Sequence, residues 1–451
     1  MATSTPSGSD SPRQPKIAVV GCGHGALDLV YSTLETECWR KGWTLSDLDL
    51  LIICGDFESF RNTADLNCMA APRKYRKLMD FYKYYSGEAT APVLTLVIGG
   101  NHEASNYLFE LYHGGWLAHN IYYLGAAGVI RYGPWRIAGL SGIYNASNYH
   151  KPHHERLPYE NSHIRSIYHV REYNVQRLLQ IRSQIDVGLS HDWPTWVELF
   201  GDHTSLFAEK PHFLDSAKID NLGSKPATEV MDHLRPSYWF SGHMHVRFSA
   251  TVEYKAGMSL RDSVKALPVS DALKSSLPIF ESQNNPSSAK AVPNPAGTQS
   301  KTEFLGLSKA GTQARLFMEL RELELPVRAD PDVAQLSTLN DKGKFSLYYD
   351  EEWLAIMRAY AATLRVADSE TLVVPPAKTK TKKNPSTSLP QHRTWVKENI
   401  TDKGLLKVPD NFTAHAPFHD PDAPDSFDQP PEYPNQQTAR FTELLQIPNK
   451  F

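Results

Sequence analysis

Five short segments of this sequence end in side chains that bind divalent metal ions. They are GCGHG (21–25), GDFE (55–58), GNHE (100–103), LSHDW (189–193) and SGHMH (241–245). Each segment comes directly after an apolar run and includes a small residue. Ligand sites in open α/β sheets lie where strands end and loops begin, so these five loops are expected to converge on one pocket.

The side chains in these segments suit two adjacent divalent cations. A carboxylate can bridge two metal ions, and Asp56 is the natural bridge. Two cations about 3.5–4 Å apart activate a water molecule near neutral pH and stabilise both oxygens of a displacement at phosphorus. A single strand-end Asp, Asn or His is more often a turn, cap or surface residue, but five such segments in order favour a metal site. The ligand-type residues are Cys22, His24, Asp56, Asn101, His102, His191, His243 and His245.

The elements that must position these residues alternate between strands and helices from residue 16 to about 254. Short runs rich in Val, Ile, Leu and Tyr predict buried strands. They are KIAVV (16–20), DLLIIC (49–54), VLTLVIG (93–99), NIYYLG (120–125), WRIAGLSG (135–142), IDVGLSH (185–191) and SYWFSGH (237–243). Helical patterns lie at 26–41, 72–87 and 164–181. The alternation predicts an α/β layered domain whose later strands form an antiparallel or mixed portion.

The remaining segments differ in composition from this region. Residues 1–15 predict a disordered arm, and residues 255–300, rich in Ser, Pro, Asn and Ala, predict a flexible linker or insertion. Apolar patterns return in residues 301–366, which we interpret as a small C-terminal module. Residues 367–451 predict a mostly disordered tail with a short helix at 437–447.

Composition limits the class of protein. The 451 residues carry a formal net charge of −3, so any contact with nucleic acid must come from a local patch. The four cysteines all lie in the first 70 residues and lack the density of a secreted disulfide scaffold. The N-terminus has no apolar signal segment, and no apolar run approaches the ~20 residues that span a bilayer. We therefore expect a protein of a reducing compartment, with free thiols and no membrane partner.

The five segments, in this order, resemble the calcineurin-like metallophosphoesterases, whose pattern is D-x-H, G-D, G-N-H-[DE], H and G-H-x-H. The match covers roughly residues 16–247, but Cys22 stands where the pattern begins with Asp. With this substitution, longer stretches resemble the RNA lariat-debranching family of the same superfamily, and residues 302–360 resemble that family's C-terminal domain. The stretches are GDFESFRN (55–62), KYRKLMDFYKYYSGE (74–88), GGNHEASN (99–106), GGWLAHNIYYLG (114–125), IRSIYHVRE (164–172) and LSHDWP (189–194).

The resemblance implies a fold and an activity. The fold is an α/β calcineurin-like β-sandwich flanked by helices, with a small C-terminal module. The activity is hydrolysis of the 2′–5′ phosphodiester at the branch point of excised intron lariat RNA by metal-activated hydroxide. Two alternatives stay open: another dinuclear metallophosphoesterase acting on nucleotides or phosphoproteins, and a non-catalytic RNA-binding relative.

The resemblance also implies which residues hold two divalent ions, expected to be Fe²⁺, Zn²⁺ or Mn²⁺. The first metal would be held by Cys22, His24, Asp56 and His245, and the second by Asp56, Asn101, His191 and His243. His102 would protonate the leaving oxygen or stabilise charge on the phosphate. Because thiolate is softer than carboxylate, Cys22 should favour Zn²⁺ or Fe²⁺ over Mg²⁺ or Mn²⁺. The alternative is that Cys22 binds no metal and leaves the first site weak or empty.

Contacts with branched RNA are expected mainly from residues 144–169, a long polar segment with many aromatic and basic side chains. Such segments stack bases and hold phosphates, although an ordinary surface loop has a similar composition. The candidate RNA-binding residues are Tyr144, Tyr149, His154, Arg165 and His169, together with Arg61 and Asn62 beside the GDFE segment. RKYRK (73–77) adds four charges on a predicted helix, either for RNA or as a solvated helix face.

The expected partners are branched (lariat) RNA and spliceosome-associated proteins, with no DNA. KTKTKK (378–383) is either a nuclear-import signal or a solvated tail. A lariat enzyme must reach introns, so we expect a nuclear location with shuttling to the cytoplasm.

Overall fold

A computed structural model describes residues 14–255, 257–281, 299–325, 336, 339–366 and 385–451. Its strands are β1 (Lys16–Val20), β2 (Leu50–Ile53), β3 (Thr95–Val97), β4 (Gly115–Ala118), β5 (Ile121–Tyr123), β6 (Ala127–Tyr132), β7 (Trp135–Leu140), β8 (Val187–Ser190), β9 (Tyr238–Ser241), β10 (Phe248–Glu253), β11 (Lys301–Gly306), β12 (Met318–Glu322) and β13 (Leu347–Tyr349).

The helices surround two sheets. They are α1 (Leu27–Arg40), α2 (Phe81–Ser86), α3 (Ser105–Glu110), α4 (Ala146–Tyr149), α5 (Asn161–Ile164), α6 (Glu172–Leu178), α7 (His203–Glu209), α8 (Pro211–Lys218), α9 (Lys225–Leu234), α10 (Leu260–Lys265), α11 (Asp271–Lys274), α12 (Pro278–Glu281), α13 (Ala314–Phe317), α14 (Glu351–Tyr360), α15 (Leu389–Val396) and α16 (Gln436–Leu445). Among the described residues, no helix combines the length and the apolar character needed to cross a bilayer.

The strands form a six-stranded sheet, in the order β12-β1-β2-β3-β5-β4, and a seven-stranded sheet, in the order β10-β11-β9-β8-β7-β6-β13. Strands β1, β2 and β3 are parallel to one another, as are β7, β8 and β9. Residues such as Ile52, Leu96, Ile137 and Leu189 pack in one apolar layer that joins the two sheets. The predicted β-sandwich is confirmed, and it places the carboxyl ends of parallel strands from both sheets at the metal-ligand segments.

Helices cover the outer face of each sheet. The buried side of α1, which includes Val30 and Leu34, packs in the apolar layer of the six-stranded sheet. The helices α6, α9 and α14 supply apolar side chains to the layer outside the seven-stranded sheet. Parallel strands covered on both faces are apolar along their whole length, which is why their runs were recognisable in the sequence.

Two predicted helices are shorter than their patterns suggested. The segment 72–87 forms a single 3-10 turn at Arg73–Tyr75 and then, after an irregular stretch, α2. The segment 164–181 contains the end of α5 and the separate helix α6.

The C-terminal module predicted for residues 301–366 contributes strands to both sheets. Strand β11 lies between β9 and β10, β12 pairs with β1, and β13 pairs with β6. These strands satisfy backbone hydrogen-bonding groups that β1, β6 and β9 would otherwise leave at open sheet edges. The later part of the chain therefore completes both sheets of the sandwich.

The predicted flexible linker and disordered tail are wrong over the residues that the structure describes. Within 255–300, the helices α10 and α12 bury Leu260, Val264 and Ile279 in the core. Within 367–451, the chain from 385 to 451 contains α15 and α16, and it buries side chains such as Phe441 in the same core. The predicted short helix at 437–447 corresponds to α16. Residues 1–13, 282–298 and 367–384 lie outside the described residues, and they include KTKTKK.

Candidate metal centre

The ligand-type residues follow the carboxyl ends of parallel strands in both sheets. Cys22 follows β1, Asp56 follows β2, and Asn101 follows β3. His191 directly follows β8, and His243 lies two residues after β9. Because adjacent parallel strands end at the same edge, their loops come together there, as the sequence predicts.

One group of ligand atoms is compact enough to hold a single cation. Cys22, His24, Asp56 and His245 each offer one atom, and these atoms all lie within 4.8 Å of one another. His24 Nε2 is 3.2 Å from His245 Nε2 and 3.7 Å from Asp56 Oδ2. One sulfur, two nitrogens and one oxygen form a donor set typical of Zn²⁺ or Fe²⁺.

A second group meets the first at Asp56. Its other carboxylate oxygen, Oδ1, lies 3.3 Å from His191 Nε2. His191 Nε2 is also 3.2 Å from Asn101 Oδ1, and the His243 ring centre is 5.0 Å from that of His191. The two oxygens of Asp56 therefore contact different groups, which is the arrangement that a bridging carboxylate requires.

The backbone at this site adopts conformations that side-chain-bearing residues rarely take. Positive φ angles occur at His24 (46°), Asp56 (44°), Glu58 (61°), His243 (62°) and His245 (50°). Left-handed conformations at non-glycine residues cost energy and persist only where surrounding contacts hold them. One such contact is a 2.5 Å hydrogen bond from the His24 amide to the Asp56 carbonyl. The loops are thus folded so that their side chains converge.

Two glycines allow the loops to approach one another. A Cβ atom on Gly100 would lie 2.2 Å from Asp56 Oδ1, and one on Gly55 would lie 2.3 Å from His191 Nδ1. Neither position can accept a side chain without displacing a candidate ligand.

Hydrogen bonds orient the imidazoles. His191 Nδ1 donates to the Cys54 carbonyl at 2.7 Å, which leaves Nε2 unprotonated toward Asp56. His24 Nδ1 donates to Glu58 Oε1 at 3.0 Å. Such partners fix the tautomer of a ligating histidine and increase its basicity. Glu103 accepts backbone amides from three residues, and so it ties the GDFE and GNHE loops together.

The charges at the site also suit cation binding. Burial alone would raise the pKa of Asp56, but His191, His24 and His102 lower it to about 2, so it is ionised. Burial and neighbouring groups lower the pKa of His191 and of His245 to about 4, so both imidazoles are neutral with a free lone pair. Burial and the Asp56 charge raise the pKa of the Cys22 thiol, so a thiolate here needs a bound cation.

The remaining site predictions have mixed outcomes. His102 is partly exposed, and its ring centre lies 5.7 Å from that of His24, which places it at the mouth of the centre. The prediction that Arg61 contacts RNA is wrong, because its side chain is wholly buried and paired with Asp65 and Glu110. Asn62 is half-buried and donates to the Pro417 carbonyl at 2.8 Å.

The proposed RNA segment provides both exposed and buried residues. Arg165 is exposed, and the half-buried rings of Tyr144 and Tyr149 lie 5.7 Å apart. His154 and His169 are only 9% and 8% exposed, which leaves little of either side chain for RNA. Their role in RNA contact stays a prediction.

Sequence reasoning missed three residues near the centre. Glu58 and Glu103 lie inside quoted segments, and their acidic side chains were the available signal. Lys309, in the loop between β11 and α13, pairs its backbone with Cys22. Nothing in its local sequence indicates this position, because the strand pairing that brings it there is long-range.

Comparison with known proteins finds relatives that match most of this chain. The family model described as calcineurin-like phosphoesterase matches residues 15–247, and the model described as the C-terminal domain of lariat debranching enzyme matches residues 299–450. The chain is 38% identical to a lariat debranching enzyme of Arabidopsis thaliana, covering 96% of this chain and 86% of that protein. It is 39% identical to the Homo sapiens enzyme of that name, and the match covers 96% of this chain and 69% of that protein. The corresponding Schizosaccharomyces pombe protein is 36% identical, covering 95% of both chains.

Proposed function

Because this chain belongs to the lariat debranching enzymes, within the calcineurin-like phosphoesterases, we propose that it hydrolyses the 2′–5′ phosphodiester at the branch point of excised intron RNA. Members of the phosphoesterase family are metal-dependent, and this chain is a metal-dependent phosphodiesterase. The observation that carries the proposal is the position of Asp56 between two groups of metal-ligand residues. That arrangement suits displacement at a phosphodiester.

The residues present fit two divalent cations. One would be held by the Cys22 group and the other by Asp56, Asn101, His191 and His243. Bound divalent cations supply Lewis-acid chemistry, because they acidify water and neutralise charge on a phosphodiester. The chain itself keeps Asp56 ionised and the imidazoles of His191 and His245 neutral, so that no proton has to leave these three ligands at neutral pH.

His102 is the residue proposed to handle the proton of the leaving oxygen. Its amide donates to Asp56 Oδ1 at 2.8 Å, which fixes the start of its side chain beside the bridging carboxylate. Its partly exposed ring can approach a bound phosphodiester from the open side of the pocket. A histidine in this position can donate a proton to a leaving 2′ oxygen or stabilise its charge.

The finer parts of the function are proposals of the same kind. The softness of the Cys22 sulfur supports Fe²⁺ or Zn²⁺ in the first group, whereas the second group, with oxygen and nitrogen donors, also suits Mn²⁺. The exposed or half-exposed Tyr144, Tyr149 and Arg165 support contact with the RNA arms. Nuclear residence with shuttling, and association with spliceosomal proteins, follow from the proposed substrate.

The test is a comparison of two RNAs of the same nucleotide sequence, one with a 2′–5′ branch and one linear with only 3′–5′ bonds. We expect cleavage of the branch alone. The variant His102→Ala should retain its metal ions by elemental analysis and lose at least about 100-fold in rate, as expected for a missing general acid. Equal rates on both RNAs, or activity on small phosphate esters only, would refute the debranching assignment.

A further inference from the structure

Lys309 is a cation that the later part of the chain places beside the metal centre. Its backbone forms an isolated parallel bridge with Cys22. The Cys22 amide donates to the Ser308 carbonyl at 3.3 Å, and the Ala310 amide donates to the Cys22 carbonyl at 2.9 Å. Ser308 Oγ also donates to the His245 carbonyl at 3.1 Å. The residues on both sides of Lys309 are therefore anchored to two candidate metal ligands.

The Lys309 side chain is exposed, and within the described part of the chain it has neither an ion pair nor a hydrogen bond. The ammonium group is therefore unpaired, on a residue whose backbone pairs with Cys22 of the first group of ligands.

A lysine in this position needs a physical reason. Its charge repels divalent cations at the adjacent ligands, and no described carboxylate neutralises it. The repulsion is offset when an anion binds between the lysine and the divalent cations. The anion for which this centre is suited is a phosphodiester, and RNA carries one at every nucleotide.

The strand order indicates on which side of the metal centre Lys309 would bind such a phosphate. Across the edge of the six-stranded sheet, the loops follow the order β12, β1, β2 and β3. Lys309 lies on the β12 side, beyond Cys22, whereas the two ligand groups meet at Asp56 after β2. Lys309 therefore flanks the centre at its outer end.

We propose that Lys309 binds an RNA backbone phosphate next to the scissile one, on the side of the centre formed by Cys22 and His24. The inference rests on the proposed function. It also assigns to the C-terminal family domain a direct part in substrate binding: one charge-assisted contact that selects a polynucleotide over a single phosphate ester.

The test uses the full-length chain and the variants Lys309→Ala and Lys309→Arg. Affinity for branched and for linear single-stranded RNA is measured by fluorescence anisotropy in EDTA, between 50 and 200 mM salt, so that the RNA stays intact. We expect Lys309→Ala to bind about 3- to 10-fold more weakly. The slope of log affinity against log salt should become shallower by about 0.7, the value for one phosphate on a single strand. Lys309→Arg should retain most of the RNA affinity and most of the salt dependence.

Lys301→Ala is the matched control, because it removes the same charge from the distant end of β11, where Lys301 pairs with Glu303 at 3.4 Å. Its affinity and salt slope should equal those of the unaltered chain. In the metal-loaded enzyme, the loss of kcat/KM in Lys309→Ala should be at least about threefold greater on branched RNA than on bis(p-nitrophenyl) phosphate, which has a single phosphate.

The proposal is overturned if Lys309→Ala binds RNA like Lys301→Ala, or if it loses bound metal in elemental analysis. It is also overturned if both substrates lose the same factor in kcat/KM. Should the unaltered chain cleave no branched RNA, the debranching function fails, but the anisotropy measurements on linear RNA still decide whether Lys309 contacts a phosphate.

Discussion

Replacing Arg61 by leucine distinguishes a structural role from an RNA-binding one. The guanidinium is wholly buried and donates to Asp65 at 2.9 and 3.1 Å and to Glu110 at 3.1 Å. It also lies 4.2 Å from the centre of the Tyr107 ring. In Arg61→Leu the two carboxylates lose their shared cation inside the protein.

The structure indicates the size of the effect. Removing one partner of a buried ion pair costs about 3–5 kcal/mol, because an uncompensated charge remains. Here Asp65 keeps a hydrogen bond from Asn106 at 2.6 Å, and Glu110 keeps one from His415 at 2.6 Å. We therefore expect the free energy of unfolding to decrease by about 3 kcal/mol, which is the lower end of that range.

Urea unfolding followed by tryptophan fluorescence measures this loss, and anisotropy measures the RNA affinity of the folded variant. We expect affinity to stay within about threefold of that of the unaltered chain, because the guanidinium does not reach solvent. Arg61→Leu combined with Asp65→Leu should recover part of the stability, because one of the two stranded charges is removed as well. Asn62→Ala, a half-buried neighbour, should cost less than about 1 kcal/mol.

The opposite result would refute the reasoning. If Arg61→Leu unfolds at the same urea concentration as the unaltered chain and binds RNA at least tenfold more weakly, then the guanidinium faces RNA rather than Asp65 and Glu110.

Two further predictions concern the metal centre, and a third concerns the pH dependence of the stability of the fold. Cys22→Ser should lower zinc or iron content in elemental analysis and reduce debranching at least about tenfold, since a hydroxyl is a harder and weaker ligand; unchanged metal content would mean that Cys22 binds none. Gly100→Ala should abolish activity, since its Cβ would meet Asp56 Oδ1 at 2.2 Å. Gly87→Ala should keep activity, because nothing lies within 4 Å of its Cβ, although its φ of +83° makes the substitution cost about 1 kcal/mol in stability. In EDTA, the free energy of unfolding should fall as the pH drops from about 6.5 to 4. Burial lowers the pKa of His113 to about 3, so this histidine is neutral when folded and binds a proton on unfolding. His113→Phe should reduce the slope of that pH dependence by about one proton, and an unchanged slope in urea titrations would contradict this assignment.

The sequence by itself determined the chemistry of the centre. Cys22, His24, Asp56 and His245 were recognisable because each follows a short apolar run that becomes a buried parallel strand. Local composition is sufficient there, since a strand covered on both faces must be apolar throughout and must end in a loop. The residue types then indicate what binds there, because thiol, imidazole and carboxylate groups are the side chains that bind divalent cations.

Other features depend on contacts between distant segments of the chain, and only the tertiary structure decided them. Arg61 has the composition of an RNA contact, but its burial depends on Asp65 and on Glu110, which lies 49 residues away. Residues 385–451, part of the tail predicted to be disordered, pack on the core because scattered side chains such as Phe441 find apolar partners far away in sequence. Lys309 reaches the metal centre because β11 pairs with β9 and β12 pairs with β1. Burial and strand pairing between distant segments depend on the whole fold, so no local stretch of sequence records them.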